Sequence, residues 1–185
     1  MRVYLGSRSL EPELAAQKAL AIRPLVSDVE ELVFERRAPF ALSSLEPKHT
    51  DFLFRYEIFP ENILRAWGEW RGEGRAMRPG DTIVQEAAMP PFPWGARLLF
   101  GARVTETIRS PIAALFSYAT LTSHAETGVN TFGLRLDKGE IVAWISSRAE
   151  PGNPLMRLAG PVVMRYADWS KEKAVDQMLR RFLKS

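Results

Sequence analysis

Four runs between Arg97 and Ser147 carry apolar residues at alternate positions, and each run ends in a turn signal. The runs are Arg97 to Ile108, Ile112 to Thr122, Asn130 to Leu136 and Glu140 to Ser147. Pro111 separates the first two, His124 to Gly128 forms the next turn, and Asp137-Lys138-Gly139 is a hairpin signal. Connections this short leave no room for crossover helices, so the runs predict an antiparallel sheet rather than βαβ units. At the centre lies Phe116 to Phe132, FSYATLTSHAETGVNTF: a strand with its aromatic residues on one face, a turn carrying one of only two histidines, and the start of a second strand.

The rest of the chain supplies more strands and one long helix. Val3 to Leu5 is a short strand, and Ser9 caps a helix reaching Ile22. Glu31 to Leu42 is a strand interrupted at Pro39, which predicts a sheet edge or a break there. Asp51 to Phe59 alternates, with Phe52, Phe54, Tyr56 and Ile58 on one face, and predicts a strand. Pro60 then opens a short helix, Glu61 to Trp70. A turn-rich loop leads to a strand from Asp81 to Met89 and a Pro-rich connection from Met89 to Gly95. Gly101 marks a bulge or a bend within the long strand. Pro161 divides a helical C-terminus into a short helix from Leu155 and a long one reaching about Leu183. Val163, Tyr166, Ala167, Ala174, Met178 and Phe182 share one stripe of the long helix. One antiparallel sheet and one long amphipathic helix predict an α+β fold in which the sheet curls around the helix. At 185 residues the chain makes a single domain.

Composition narrows the function classes. There is no cysteine, which removes disulfides, thiolate metal sites and a cysteine nucleophile. The formal charge is +3, and the basic residues are dispersed rather than gathered into a nucleic-acid-binding stripe. No run reaches the roughly 18 apolar residues of a membrane span. No signal peptide opens the sequence, so the expected address is cytoplasmic. His49 and His124 are the only histidines and lack HxH or HxxxH spacing, so no metal site is expected. Neither a nucleophile elbow nor a glycine-rich phosphate fingerprint occurs, and no cofactor is implied. Oligomeric state is not legible.

Five segments in order, FRYEIFP (54–60), RPGDTIVQ (78–85), LLFGARV (98–104), FSYATLTSHAETG (116–128) and PVV (161–163), resemble the domain-of-unknown-function nineteen-ninety family. The resemblance covers a core at 51–183 and leaves 1–50 as an N-terminal extension packing on it. That family is similar in fold to the Bet v 1, START and polyketide-cyclase (SRPBCC) group. The resemblance therefore implies a helix-grip fold, with a cavity between an antiparallel sheet and the C-terminal helix. It implies no particular activity. The chain departs from the family where Val129 and Asn130, rather than acidic residues, follow Gly128, and where Ala149-Glu150-Pro151 replaces Ser-Arg-Pro.

Two groups of residues are candidates for function. His124 and Glu126 share a face on an extended segment, with Tyr118 and Thr120 upstream on the same parity. A histidine oriented by a carboxylate is a general base, and a tyrosine can hold a carbonyl or hydroxyl. The blander and commoner alternative is a histidine that caps a turn or satisfies a buried carbonyl. Phe54, Tyr56, Trp67, Phe116 and Tyr118, together with Thr120 and His124, are the candidate lining of an apolar pocket. Met77, Met89 and Pro90-Pro91-Phe92-Pro93-Trp94 are a candidate entrance. Aromatics at this spacing also build ordinary cores. The leading expectation is a protein that binds a small apolar or amphipathic molecule. The alternatives are an enzyme of cyclase, hydrolase or isomerase type using Tyr118, His124 and Glu126, and a protein–protein module with a filled interior.

Overall fold

A computed structural model of the chain describes all residues except 7, 27, 42, 92–94 and 153–159. In chain order the elements are β1 (Arg2–Leu5), α1 (Leu14–Lys18), β2 (Leu32–Pro39), α2 (Pro47–Phe54), β3 (Leu64–Gly68), α3 (Glu69–Glu73), β4 (Thr82–Met89), β5 (Ala96–Arg109), β6 (Ala113–Thr120), β7 (Glu126–Asp137), β8 (Glu140–Pro151) and α4 (Gly160–Phe182). The strands form one antiparallel sheet in the order β2-β8-β7-β6-β5-β4-β3. β1 pairs with Ala96–Leu99 of β5, on the edge that β6 leaves free.

The alternating region folds as its pattern predicts, because each hairpin has the turn chemistry it needs. At the β7–β8 turn Lys138 (φ 50°) and Gly139 (φ 84°) both adopt left-handed backbone, the geometry that matches strand twist. The interruption in β5 is not at Gly101. The register shifts between Val104 and Glu106, and beyond that point the parity of the strand reverses. Leu98, Phe100, Ala102 and Val104 are therefore buried, whereas Ile108 turns outward. Gly101 serves a close approach instead: a Cβ there would lie 2.4 Å from the side-chain oxygen of Gln17.

Two local predictions fail. Asp51 to Phe59 is not a strand. α2 covers its first half, held by a capping box in which Glu46 accepts from the His49 N–H and His49 Nδ1 accepts from the Glu46 N–H at 3.1 Å. Phe52, Leu53, Phe54, Tyr56, Ile58 and Phe59 are all buried, so both parities of the apparent strand were core. The predicted helix at Glu61 to Trp70 is also absent. Leu64–Gly68 pairs with Ile83–Ala87 as β3, and the hydrogen bonds of the sheet override a weak helical period. The N-terminal helix is shorter than predicted: a 3-10 turn at Glu11–Glu13, with Leu10 rather than Ser9 at its N-cap, leads into α1.

Pro161 sits in the first turn of α4, where a missing N–H costs nothing. The predicted short helix from Leu155 lies outside the described residues. α4 lays Ala174, Val175, Met178 and Phe182 against Phe116, Phe132, Leu134, Ile141 and Ile145 of the sheet. This is the helix-grip arrangement: an antiparallel sheet closed over a C-terminal helix. Residues before 50 are built into it, because β2 forms one sheet edge and Phe34, Ala38 and Phe40 pack on the main core.

Candidate functional site

The core is continuous only under the C-terminal half of α4. Under its N-terminal half, between α4 and β3–β5, lies a cavity of about 80 Å³ that is partly open to the surface. Its apolar wall is Phe59, Leu64, Ala87, Met89, Leu98 and Phe100. Its polar groups are Gln85, Tyr118, His124, Glu126, Ser170 and Lys171. The Tyr166 hydroxyl donates to the Ala88 carbonyl and pins the helix across β4 at this end.

His124 arrives at the end of a tight turn after β6, with its N–H donating to the Leu121 carbonyl at 2.9 Å. The turn interrupts the extended segment, yet it brings His124 and Glu126 to the same cavity. The Glu126 backbone N–H donates to His124 Nδ1 at 3.0 Å. The ring proton of the neutral imidazole therefore resides on Nε2, which faces Gln85 Oε1 at 3.3 Å. Gln85, fully buried on β4, donates through its Nε2 to the Tyr56 hydroxyl. The Phe100 ring meets the imidazole at 4.3 Å between centroids. Burial lowers the His124 pKa to about 4, against an opposing pull from Glu126. The imidazole is neutral at pH 7 and its lone pair is already in use. The expected catalytic pairing, in which the Glu126 carboxylate orients His124 as a base, is replaced by a main-chain contact.

The Glu126 carboxylate turns instead toward α4. Lys171 Nζ lies 3.6 Å from Glu126 Oε1 and 3.9 Å from Asp168 Oδ1. Both side chains of the Lys171–Glu126 pair are more than nine-tenths buried. Among the described residues, neither Glu126 Oε1 nor Asp168 Oδ1 receives a hydrogen bond. Burial, followed by the nearby Glu126 charge, raises the Tyr118 pKa far above its ordinary value, so the phenol stays protonated beside Tyr56 and Gln85.

Of the predicted lining residues, Tyr118 and His124 border the cavity. Tyr56 reaches it through its hydroxyl bond to Gln85. Phe54 and Phe116 are packed in the filled core. Thr120 is buried and accepts the Gly128 N–H at 2.9 Å, a structural role. Trp67 is placed elsewhere: it packs beside Leu10, Val84 and Leu99 and borders a separate open cleft of about 290 Å³ along β3. The arginines of that cleft are engaged, Arg65 with Glu86, Arg71 with the Arg55 carbonyl and Arg181 with Glu57. Of the expected entrance, Met89 lines the cavity, Met77 is buried in the core, and 92–94 lie outside the described residues.

Sequence reasoning missed Gln85, Lys171 and Asp168. Lys171 had a signal, because it falls between Ala167 and Ala174 on the apolar stripe of α4. Gln85 had a weaker one, as one of the few polar residues, with Thr82 and Glu86, in a strand buried on both faces.

The sequence pattern of a domain of unknown function, DUF1990, matches residues 48–181. No curated protein matches the chain. Among solved structures, a hypothetical protein from Helicobacter pylori superposes with a TM-score of 0.50 at 12% identity, over 84% of this chain and 86% of that one. The di-domain ARO/CYC StfQ of the steffimycin biosynthetic pathway gives 0.46 at 11% identity, over 82% of this chain and 51% of that one. Major latex-like protein 151 from Panax ginseng gives 0.40 at 10% identity, over 76% of this chain and 97% of that one. At these identities the likeness is one of fold.

Proposed function

The chain belongs to the DUF1990 family, and from that premise we propose that it binds a small molecule with an apolar body in the cavity beneath the N-terminal half of α4. One observation carries this reading: an otherwise tightly packed helix-grip core gives way, at one end, to an apolar cavity in which several polar side chains converge. The volume of about 80 Å³ restricts the occupant. It is below the roughly 150 Å³ of an apolar cavity that accepts benzene. A whole lipid or polyketide does not fit, whereas the end of a short chain or a very small ring does. Binding is favoured over catalysis through Tyr118, His124 and Glu126, because the His124 lone pair is committed to the Glu126 N–H.

Native mass spectrometry of freshly purified protein, followed by extraction and identification of what is bound, tests the reading. A stoichiometric small molecule that is lost in Leu98→Trp, which fills the cavity, is the expected result. Protein at its bare chain mass, with no thermal shift across a panel of small alcohols, acids, amines and ethers, would sink it.

A further inference from the structure

Building on that reading, we infer that the polar end of the ligand is a hydroxyl group, that of a short alcohol, received by Glu126 and Lys171 together. The argument starts from what these two residues lack. Lys171 and Glu126 are buried together under α4, but their closest approach is 3.6 Å. A charge-assisted N–H···O bond is about 2.7–2.9 Å long. Among the described residues, Glu126 Oε1 is buried and receives no hydrogen bond, and Asp168 Oδ1, 3.9 Å from the same ammonium, is in the same condition. One ammonium thus faces two carboxylates at ion-pair distance, with no hydrogen bond joining them among the described residues. A buried charge is tolerated when its remaining lone pairs and protons are satisfied, so this pair favours a third group that bridges both from the cavity side.

The donor and acceptor inventory selects that group. Glu126 Oε1 requires a donor, and the Lys171 ammonium requires an acceptor. A hydroxyl is both, and supplies what a bridging water would supply. An ether accepts from Lys171 and leaves Glu126 without a proton to bind. A carboxylate or phosphate brings a further negative charge to a place that already holds two carboxylates and one ammonium. An alkylammonium donates to Glu126 but opposes Lys171. The wall facing this pair is apolar, with Leu98, Phe100 and Ala87 opposite α4, so the hydroxyl belongs at the end of a hydrocarbon body.

The test uses the full chain and four probes of similar size: 1-hexanol, methyl pentyl ether, hexanoate and hexylamine. Binding is read by calorimetry and by the backbone amide NMR signals of Gln85 and Glu126. We expect 1-hexanol to bind at least about tenfold tighter than the ether, the consequence of one hydrogen bond to a charged group. Glu126→Leu should remove that preference while the ether keeps its affinity. Because Glu126→Leu leaves Lys171 buried with one partner fewer, the double variant Glu126→Leu/Lys171→Met, which removes both charges, provides the same reading if the single variant does not fold. Equal binding of alcohol and ether, or tightest binding of hexanoate or hexylamine, overturns the hydroxyl assignment and leaves the cavity reading standing. Binding that survives Leu98→Trp, or no binding of any probe, overturns both.

Discussion

The two halves of α4 grip the same sheet in opposite ways. Its C-terminal half buries Val175, Met178 and Phe182 in a dry core where the Phe116 and Phe132 rings stack 5.1 Å apart at 13°. Its N-terminal half, beginning two helical turns earlier, presents Ala167, Ser170 and Lys171 to a cavity lined by Gln85, His124 and Glu126. Both halves belong to one helix and face one sheet, so the difference lies in side chains rather than backbone. The lesson is a division of labour. Close packing at one end supplies enough stability for the other to hold buried charges and open space, each of which costs free energy.

That division is open to attack from the filled end first. Phe132→Ala deletes a fully buried ring that contacts Tyr56, Phe59, Phe116 and Tyr118. We expect it to lower unfolding stability by about 4 kcal/mol, measured by urea denaturation. A loss below about 1.5 kcal/mol would mean that the filled end is not what holds the fold.

The next largest effect belongs to the open end, and it depends on pH. His124 has its pKa lowered from 6.5 to about 4 by burial. The unfolded state then binds a proton that the folded state refuses. The contribution is fully present above about pH 6.5 and is lost as pH falls toward 4. The size of that loss is about 3 kcal/mol. His124→Gln should flatten the stability profile across this window. An unchanged profile in the variant would assign the acid sensitivity to other groups and remove the evidence that the cavity end imposes an energetic cost.

How much of this was legible in the sequence follows the same boundary. The meander from β4 to β8 could be read, because alternation and turn chemistry are local properties that agree with the final sheet. The helical stripe of α4 could be read for the same reason. The segment around Phe54 and Tyr56 could not. It buries nearly every apolar side chain, so its alternation was an accident of composition, and the informative signal was the Glu46-Pro47 start before it. Leu64–Gly68 was misread because its partner β4 is remote in sequence and outweighs local preference. At the site, the nearness of His124, Glu126 and Tyr118 was legible, but their roles were not. Which atom of Glu126 faces the imidazole depends on the turn at Leu121–His124, and Gln85 and Lys171 reach the cavity from other elements, 39 residues before His124 and about 50 after it.

The smallest effects give the sharpest comparison, because one substitution can be made in both halves of α4. Ala174 is fully buried in the main core beside Val175 and Met178 and does not border the cavity. Ala174→Leu should therefore overpack the core and cost about 1–3 kcal/mol. Ala167 lies two turns earlier on the same stripe and borders the cavity. Ala167→Leu adds the same atoms where there is room for them, and cavity filling of this kind is worth about 0.5–1 kcal/mol of added stability. Leucine is a good helix former at either position, so helix propensity contributes little to the difference. Opposite signs in parallel thermal and urea unfolding would place the boundary between the two halves of the grip at Lys171. Matching losses at both positions would mean that the cavity end is packed as tightly as the rest, and that Lys171 and Glu126 are held together with no room for a third group.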